Sequence, residues 1–252
     1  MRTRSEALLL PLVAAALLVG AWHAAVVLSG TKIMPGPLAV ARGLVELAER
    51  GVLWGYIGAS LGRVLGGYAL AVIAAIPLGL WMGLSPAAGA FFDPLVQILR
   101  PISPIAWIPV AILLFGIGEG APVFLIALAS FLPIVAATAA VVRRLPPMYV
   151  AAGRNFGLGP AALLRRVVFP AALPQILVSL RISLGVAWIV VVAAEMIAVD
   201  SGLGYLIIDS RNAGKRYDLV VAGMVLVGVI GLALDRLFRV IAQHRAVRWG
   251  FR

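Results

Sequence analysis

The sequence predicts an all-α membrane protein with six transmembrane helices and a cytoplasmic helical hairpin between helices 4 and 5. Two observations support this prediction. Hydrophobic residues make up 63% of the 252 residues and charged residues only 12%, whereas a soluble domain is roughly 45–50% apolar and about 25% charged. The apolar residues also form runs of about 20 or more, without the alternation expected in an outer-membrane barrel.

The first predicted span is Ala7–Leu28. Arg2 and Arg4 precede it, as in a signal peptide. The run is nevertheless longer than a signal-peptide core, and further hydrophobic segments follow it. We therefore expect an uncleaved membrane helix, followed by a short amphipathic helix from Pro37 to Arg50.

The second span, from about Tyr56 to Leu84, repeats glycine at four-residue intervals. The repeated positions are Gly58, Gly62 and Gly66, and then Gly79 and Gly83. Small residues at this spacing let helices approach each other closely in lipid. We expect them to pack against other helices of the same subunit rather than to form a dedicated dimer seam.

The third span is expected from about Asp93 to Ile117, after a short loop at Ser85–Phe92. Four prolines interrupt it: Pro94, Pro101, Pro104 and Pro109. Proline removes a backbone donor and bends a helix. Irregular backbone at membrane depth is tolerated only against protein or a water-filled cavity. The third span is therefore predicted to be kinked and to line a cavity.

Three further spans are predicted: Ala121–Val142, about Gln175 to Val199, and Asp218 to about Val240. A loop is expected from Asp200 to Tyr217. Six spans place both termini on one side. That side, with the polar segment between spans 4 and 5, holds twelve basic residues against six on the other. The excess predicts that both termini and this segment are cytoplasmic.

Several function classes are disfavoured by composition. The net charge of +11 comes from basic residues in loops and tails, which favours contact with lipid headgroups over nucleic acid. The chain has no cysteine and only two histidines, so no disulfide, iron–sulfur or metal centre is expected. It also has no P-loop and no evident catalytic set, so it is not expected to be an enzyme or to hold ATP itself.

The polar segment Ala151–Pro174 reads AAGRNFGLGPAALLRRVVFPAALP. It resembles the EAA loop of bacterial ABC-importer permeases: Glu-Ala-Ala, three residues, Gly, nine residues, an aliphatic residue, one residue, then an apolar residue and Pro. The matching positions are Ala151-Ala152-Gly153, Gly157, Val167 and Phe169-Pro170. The Gly-to-Pro spacing is kept, while Ala151 replaces the leading Glu and Gly153 replaces the second Ala.

Other segments resemble one branch of these permeases, the nitrate, sulfonate, taurine and bicarbonate branch. They are Arg100–Pro109, Phe115–Glu119, Leu180–Trp188, Ala193–Ile197 and Gly202–Tyr205. The resemblance covers most of the chain from about Ser60 to Val240. It implies a type I importer permease that carries a small anion such as nitrate, taurine, another sulfonate or bicarbonate.

The resemblance also implies the surroundings of the chain. The transporter in the bacterial inner membrane would contain a second permease copy, most simply in a homodimer. It would also contain two cytoplasmic ABC ATPases that bind ATP and Mg, and a periplasmic or lipid-anchored solute-binding protein. Residues 1–55 would then be a membrane helix with a periplasmic amphipathic segment. Residues 56–240 would be the importer domain with its coupling loop at about 143–174, and residues 241–252 a basic cytoplasmic tail.

Candidate ATPase-coupling residues lie in the polar segment, because contact between a helix and a groove needs small residues at close approach. Two short helices joined near Gly157 and Gly159 could supply such a contact. The full set is Ala151, Ala152, Gly153, Arg154, Gly157, Gly159, Arg165 and Pro170. The arginines are alternatively ordinary inner-side topology determinants.

Candidate path or gate residues lie in the third and fifth spans: Arg100, Ser103, Pro104, Trp107, Arg181, Trp188 and Glu195. Arg100 and Arg181 are interpreted as the two span-embedded cations, near inner ends, which either meet an anion or snorkel to phosphates. Glu195 lies deeper and needs a partner or a water-filled path. Trp107 and Trp188 are alternatively interfacial anchors or packing residues.

Two other classes stay open. A secondary transporter would need internal symmetry, and none is evident in the sequence. A non-transport scaffold or an intramembrane hydrolase would not need a glycine-marked inner hairpin, and His23 and His244 are poorly placed for catalysis. Co-purification of a P-loop ATPase would distinguish these classes.

Overall fold

In the computed structural model the described residues, 4–31 and 33–242, fold into helices joined by short connections. The helices are α1 Arg4–Ser29, α2 Pro37–Glu49, α3 Val52–Leu84, α4 Pro86–Leu99, α5 Ile108–Phe115, α6 Gly120–Arg143, α7 Pro147–Asn155, α8 Pro160–Leu163, α9 Phe169–Ala198, α10 Leu203–Gly214 and α11 Tyr217–Ala242. A 3₁₀ turn, Pro104–Trp107, precedes α5, and a π-helical turn, Leu164–Val168, joins α8 to α9. The predicted all-α class is confirmed.

Within the described residues, five helical segments are long and apolar enough to cross a membrane. They are Leu9–Ser29, Val52–Leu84, Gly120–Arg143, Pro160–Ala198 and Tyr217–Val240. The predicted third span is a pair of helices, Pro86–Leu99 and Pro104–Phe115, bent by 87°. Counted as one span, this pair completes the predicted six. The predicted basic tail lies outside the described residues beyond residue 242.

Two predicted loops are wrong. The segment Ser85–Phe92 is mostly helical, because α4 begins at Pro86. Proline suits the first helical position, where its missing N–H would be unpaired anyway, and the Ser85 hydroxyl caps the helix by accepting from the Ala88 N–H at 3.2 Å. The segment from Asp200 to Tyr217 contains α10.

Small residues on α3 bring it into close contact with α6. A Cβ added at Gly67 would lie 2.7 Å from the Val123 carbonyl oxygen, and one at Gly79 would lie 2.6 Å from the Thr138 Cβ. Larger side chains would therefore force α3 and α6 apart. The seam recurs every four residues along α3 and consists of Gly67, Ala71, Ala75, Gly79 and Gly83.

The predicted glycine packing is thus only partly right. Gly79 and Gly83 pack against α6 within the chain, as expected. Gly58, Gly62 and Gly66 have no atom within 4 Å of an added Cβ. These three lie one residue away from the seam register, and since α3 turns about 100° per residue they lie on a different face.

Candidate functional site

A helical hairpin projects between α6 and the long helix that contains α9. It consists of α7, the turn at residues 156–159 and α8, and we call it the coupling hairpin. The chain reverses at Gly157, whose φ of 75° is left-handed, as expected for a glycine at this position. The Gly157 N–H donates to the Arg154 carbonyl at 2.9 Å, and the Leu158 N–H donates to the Gly153 carbonyl at 3.1 Å.

Gly153, which departs from the family pattern, lies inside the coupling hairpin. It is buried, and an added Cβ would lie 2.5 Å from Leu163 Cδ1 and 3.3 Å from Val167 Cγ2. The absence of a side chain lets α7 lie against the start of the long helix. Gly153 therefore packs the hairpin internally and does not contribute to its outer surface.

The outer surface of the coupling hairpin is formed by the other candidate residues. Ala151, Ala152, Arg154, Gly157 and Gly159 are exposed. Arg165 is exposed in the π-helical turn, and Pro170 is half-buried in the first turn of α9. The exposed alanines and glycines of the hairpin supply the small side chains that close docking requires.

Three large side chains on the coupling hairpin were missed by sequence reasoning. Phe156 is 86% exposed at the tip, and Met148 and Tyr149 on α7 are exposed at 69% and 48%. Aromatic residues and Met are enriched in protein–protein interfaces. The signal was available, because an aromatic residue beside a turn glycine in a polar segment has no core to enter.

The third-span candidates lie at the bend between α4 and α5. Arg100 caps the C-terminus of α4, and Ser103, Pro104 and Trp107 follow in the 3₁₀ turn and its lead-in. Ser103 is exposed, whereas Trp107 is half-buried against a cluster that includes Ile108. The Arg100 side chain lines a cavity of about 340 Å³ between α4 and α6.

Two fifth-span candidates face α11 instead of the bend. Arg181 makes a two-pronged ion pair with Asp235, Nε to Oδ1 at 2.5 Å and Nη2 to Oδ2 at 2.8 Å. The Trp188 indole N–H donates to the Val227 carbonyl at 2.9 Å. Both side chains therefore have partners within the chain, and the structure does not bring them together with Arg100.

Glu195, the third fifth-span candidate, is completely buried. Its Oε2 accepts from the Ser60 hydroxyl at 2.8 Å and from the Gly204 N–H at 3.0 Å, and its Oε1 accepts from Arg63 Nη1 at 2.7 Å. The carboxylate is thus held by α3, α10 and one guanidinium. The partner that the sequence required for a carboxylate at this depth is Arg63.

Arg63 was missed by sequence reasoning, which named only Arg100 and Arg181 as span-embedded cations. It is 2% exposed on α3. Besides Glu195, it donates to both Glu119 oxygens, Nε to Oε2 at 2.7 Å and Nη2 to Oε1 at 2.5 Å, and to the Ser201 carbonyl at 2.8 Å. The hydrogen bond from Arg63 lowers the pKa of Glu119, which lies in the connection before α6.

Together these residues form a polar network that we call the outer cluster: Ser60, Arg63, Glu119, Glu195 and Ser201. It joins α3, α9 and the connections that precede α6 and α10. A second set of ion pairs links α2 to the start of α11, because Arg216, just before α11, contacts Glu46 of α2 at 2.6 Å and Asp218 of α11 at 2.7 Å. The hydrogen bond from Arg216 lowers the pKa of Glu46.

The comparisons with known proteins identify the family. The model of the binding-protein-dependent transport system inner membrane component family matches residues 75–247. The chain belongs to this family. The resemblance found in the sequence is therefore confirmed, and the chain is an ABC-importer permease subunit and a multi-pass membrane protein.

Curated relatives of the permease match most of its length. A probable ABC transporter permease protein of Brucella melitensis is 41% identical over 99% of this chain and 100% of its own. The taurine transport system permease protein of Escherichia coli is 38% identical over 78% of this chain and 71% of its own. The nitrate import permease protein of Leptolyngbya laminosa is 35% identical over 78% and 70%, respectively.

A solved structure supports the fold. The inward-facing MetNI methionine ABC transporter aligns with a TM-score of 0.60 and 20% identity, over 75% of this chain and 95% of the matched chain. At this identity the likeness concerns the fold alone. It supports the same overall helical fold for the permease.

Proposed function

We propose that this permease forms the translocation path for a small anion in an ATP-driven importer, with nitrate, taurine, another sulfonate or bicarbonate as the substrate class. Relatives at 35–38% identity are named for taurine and nitrate transport. Both compounds carry a compact oxyanion group.

The proposed assembly has two permease copies, a solute-binding protein outside and ATPases on the cytoplasmic side. The coupling hairpin docks an ATPase, which binds ATP and Mg and so supplies the energy that this chain, lacking a P-loop, cannot. Both termini lie in the cytoplasm. The observation that carries the assignment is the exposed tip of the hairpin, where Phe156 is 86% exposed beside the left-handed Gly157.

A docking experiment tests this assignment. The permease with Phe156→Ser is expressed with its ATPase, and the amount of ATPase that co-purifies is measured. We expect a loss of about tenfold or more, because a buried interface aromatic typically contributes 2 kcal/mol or more to binding. Trp54→Ser is the matched control, since Trp54 is also strongly exposed, at 71%, but lies near the start of α3.

If equal amounts of ATPase co-purified with the two variants, the docking site would not lie at the hairpin tip. The substrate class is tested separately, by uptake of nitrate, taurine and bicarbonate into vesicles that contain the complete transporter. ATP-dependent uptake of at least one of them is expected. Robust uptake of a cationic solute, with none of the three anions carried, would refute the anion assignment.

A further inference from the structure

The cavity between α4 and α6 is lined by an unusual set of polar side chains for a membrane-embedded position. Asp93, Gln97 and Arg100 face it from α4, and Arg143 faces it from the last turn of α6. The rest of the wall is apolar, formed by Val96 of α4 and by residues of α6 between Pro133 and Ala140, which are mostly alanine. Two guanidinium groups and one carboxylate leave the cavity with one net positive charge.

Arg143 is restrained at one end of this cavity. Its Nη1 lies 2.7 Å from Asp93 Oδ2, and its Nη2 donates to the Met82 carbonyl at 3.2 Å. Gly89 provides room for it, because an added Cβ would lie 2.8 Å from Arg143 Nη2. The charge of Arg143 is therefore largely balanced by Asp93.

The charge of Arg100 is not balanced by a carboxylate in this way. Among the described residues it forms no ion pair within 4.0 Å, unlike Arg63, Arg143 and Arg181. Seven residues separate it from Asp93, so it lies about 10 Å farther along α4. The cavity there is bounded by Pro133, the fourteenth of the 24 residues of α6. Arg100 is thus a cation without an ion pair among the described residues, at the C-terminus of α4 and level with the middle of α6.

An unpaired cation at this depth faces a functional path more often than lipid. The cavity of about 340 Å³ falls within the usual range for small-molecule sites, roughly 300–1,000 Å³. The guanidinium of an arginine presents N–H groups in a fork that matches the geometry of a planar or tetrahedral oxyanion. The Gln97 amide on the preceding turn adds a further donor.

We propose that this cavity is a binding site for a small oxyanion, held by Arg100 and Gln97, with Asp93 limiting affinity by neutralising Arg143. The inference rests on the proposed anion transport for its physiological ligand. It goes further by assigning the ligand to the α4–α6 cavity of a single subunit, in the inner half of the span. The occupant is either the transported anion or a cytoplasmic anion such as phosphate.

A cysteine placed in the cavity wall tests the site, because the wild-type chain contains no cysteine. Ala137→Cys is introduced into the complete transporter in membrane vesicles. Its labelling rates are measured with two methanethiosulfonate reagents, one ending in a sulfonate and one in a trimethylammonium group. Leu84→Cys, exposed at the end of α3 and outside the cavity lining, corrects for the intrinsic rates of the reagents.

We expect the corrected rate to favour the anionic reagent by roughly three- to tenfold, the effect of one unit charge at partly screened dielectric. Arg100→Gln should abolish this preference, and Asp93→Asn should increase it by releasing Arg143. Nitrate or taurine should slow the labelling of Ala137→Cys if the transported anion occupies the site. Slowing by inorganic phosphate alone also supports the site and assigns it to a cytoplasmic anion.

Equal corrected rates for the two reagents, with no protection by nitrate, taurine or phosphate, would overturn the proposal. Arg100 would then serve only the C-terminus of α4, where a cation is favoured by the helix dipole. The labelling preference is measured without transport, so it tests the cavity independently of the substrate class. Uptake of nitrate, taurine and bicarbonate, measured in the same vesicles, tests the proposed function separately, so failure of the cavity proposal and failure of the anion assignment can be told apart.

Discussion

The outer cluster and the coupling hairpin use similar side chains in opposite ways. In the outer cluster, Arg63 and Glu195 are buried, and each is bonded to partners from the same chain. In the coupling hairpin, Arg154 and Phe156 are exposed, as is Arg165 in the π-helical turn that follows it. A buried charge without a partner is strongly unfavourable, whereas an exposed charge is held by water. The difference indicates which charges stabilise the subunit and which are available to another molecule.

The contrast extends to the glycines of the two regions. Gly202 has a φ of 101°, and an added Cβ there would overlap the Glu195 carboxylate. Gly157 also has positive φ, but an added Cβ would meet nothing within 4 Å. One glycine therefore serves internal packing as well as backbone geometry, and the other serves backbone geometry alone. Substitutions can separate these roles.

The largest effect is expected for Arg63→Ala. The substitution leaves Glu195 buried without its guanidinium, which typically destabilises a protein by about 3–5 kcal/mol. We expect the variant to accumulate poorly in the membrane and to lose thermal stability in detergent. The measurement is the melting profile of the purified subunit.

Arg50→Ala is the control for this substitution. Arg50 also pairs with a glutamate, Glu46, but its side chain is 61% exposed. An exposed helical pair contributes about 0.5 kcal/mol or less. If Arg63→Ala and Arg50→Ala melted alike, the outer cluster would not stabilise the fold in the way that its burial indicates.

A smaller loss, about 2–3 kcal/mol, is expected for Gly202→Ala. The backbone conformation at this position is nearly exclusive to glycine, and forcing another residue into it costs about 1–3 kcal/mol. Displacement of the Glu195 carboxylate adds to this. Gly185→Ala is the matched change, since Gly185 lies within α9 and an added Cβ meets nothing. A melting temperature for Gly202→Ala at or above that of Gly185→Ala would contradict the prediction.

The coupling hairpin should respond through function more than through folding. Gly157→Val forces a β-branched residue into left-handed backbone, at about 1–2 kcal/mol, and this should tilt the hairpin turn. We expect normal membrane levels, weakened ATPase association and loss of transport. Gly51→Val is the control, because Gly51 also has a left-handed φ, 72°, with nothing within 4 Å of an added Cβ, but lies before α3 and outside the coupling hairpin. Normal transport by Gly157→Val with its ATPase bound would contradict the assignment of the coupling hairpin as the ATPase docking site.

The sequence predicted the elements that depend on local composition. The long apolar runs predicted the membrane spans, and Gly157, beside Phe156, predicted the turn of the hairpin. The start of α4 was missed because Ser85–Phe92 was predicted to be a loop, although proline suits the first turn of a helix and α4 begins at Pro86. The helix α10, Leu203–Gly214, was missed because the whole segment from Asp200 to Tyr217 was predicted to be a loop between two spans.

The sites were harder to predict, because their partners are distant in sequence. Glu195 was expected to need a partner, yet Arg63 lies 132 residues away, and no local pattern connects them. The same holds for Arg181 and Asp235, 54 residues apart. A charge inside an apolar run signals that a partner exists. Only the packing of α3, α9 and α11 determines which residue it is.

The smallest expected effect separates charge from packing in the outer cluster. Glu119 is 69% exposed, and its pKa is lowered by the hydrogen bond from Arg63. A carboxylate with a lowered pKa in the folded state stabilises the fold above its unfolded pKa, about 4.3, and loses that contribution as the pH falls through the folded pKa. Wild type should therefore exceed Glu119→Gln in stability at pH 7 by about 1 kcal/mol or less. This difference in stability should shrink below about pH 4.

The control for this prediction is Glu49→Gln, at an exposed position without an ion pair among the described residues. Subtracting the wild-type and variant melting curves at each pH cancels the groups that both proteins share. Glu49→Gln should then show no such difference from wild type. A constant gap down to pH 3 would mean that Glu119 contributes through its shape and hydrogen bonds, and that Glu195 alone supplies the charge that Arg63 requires.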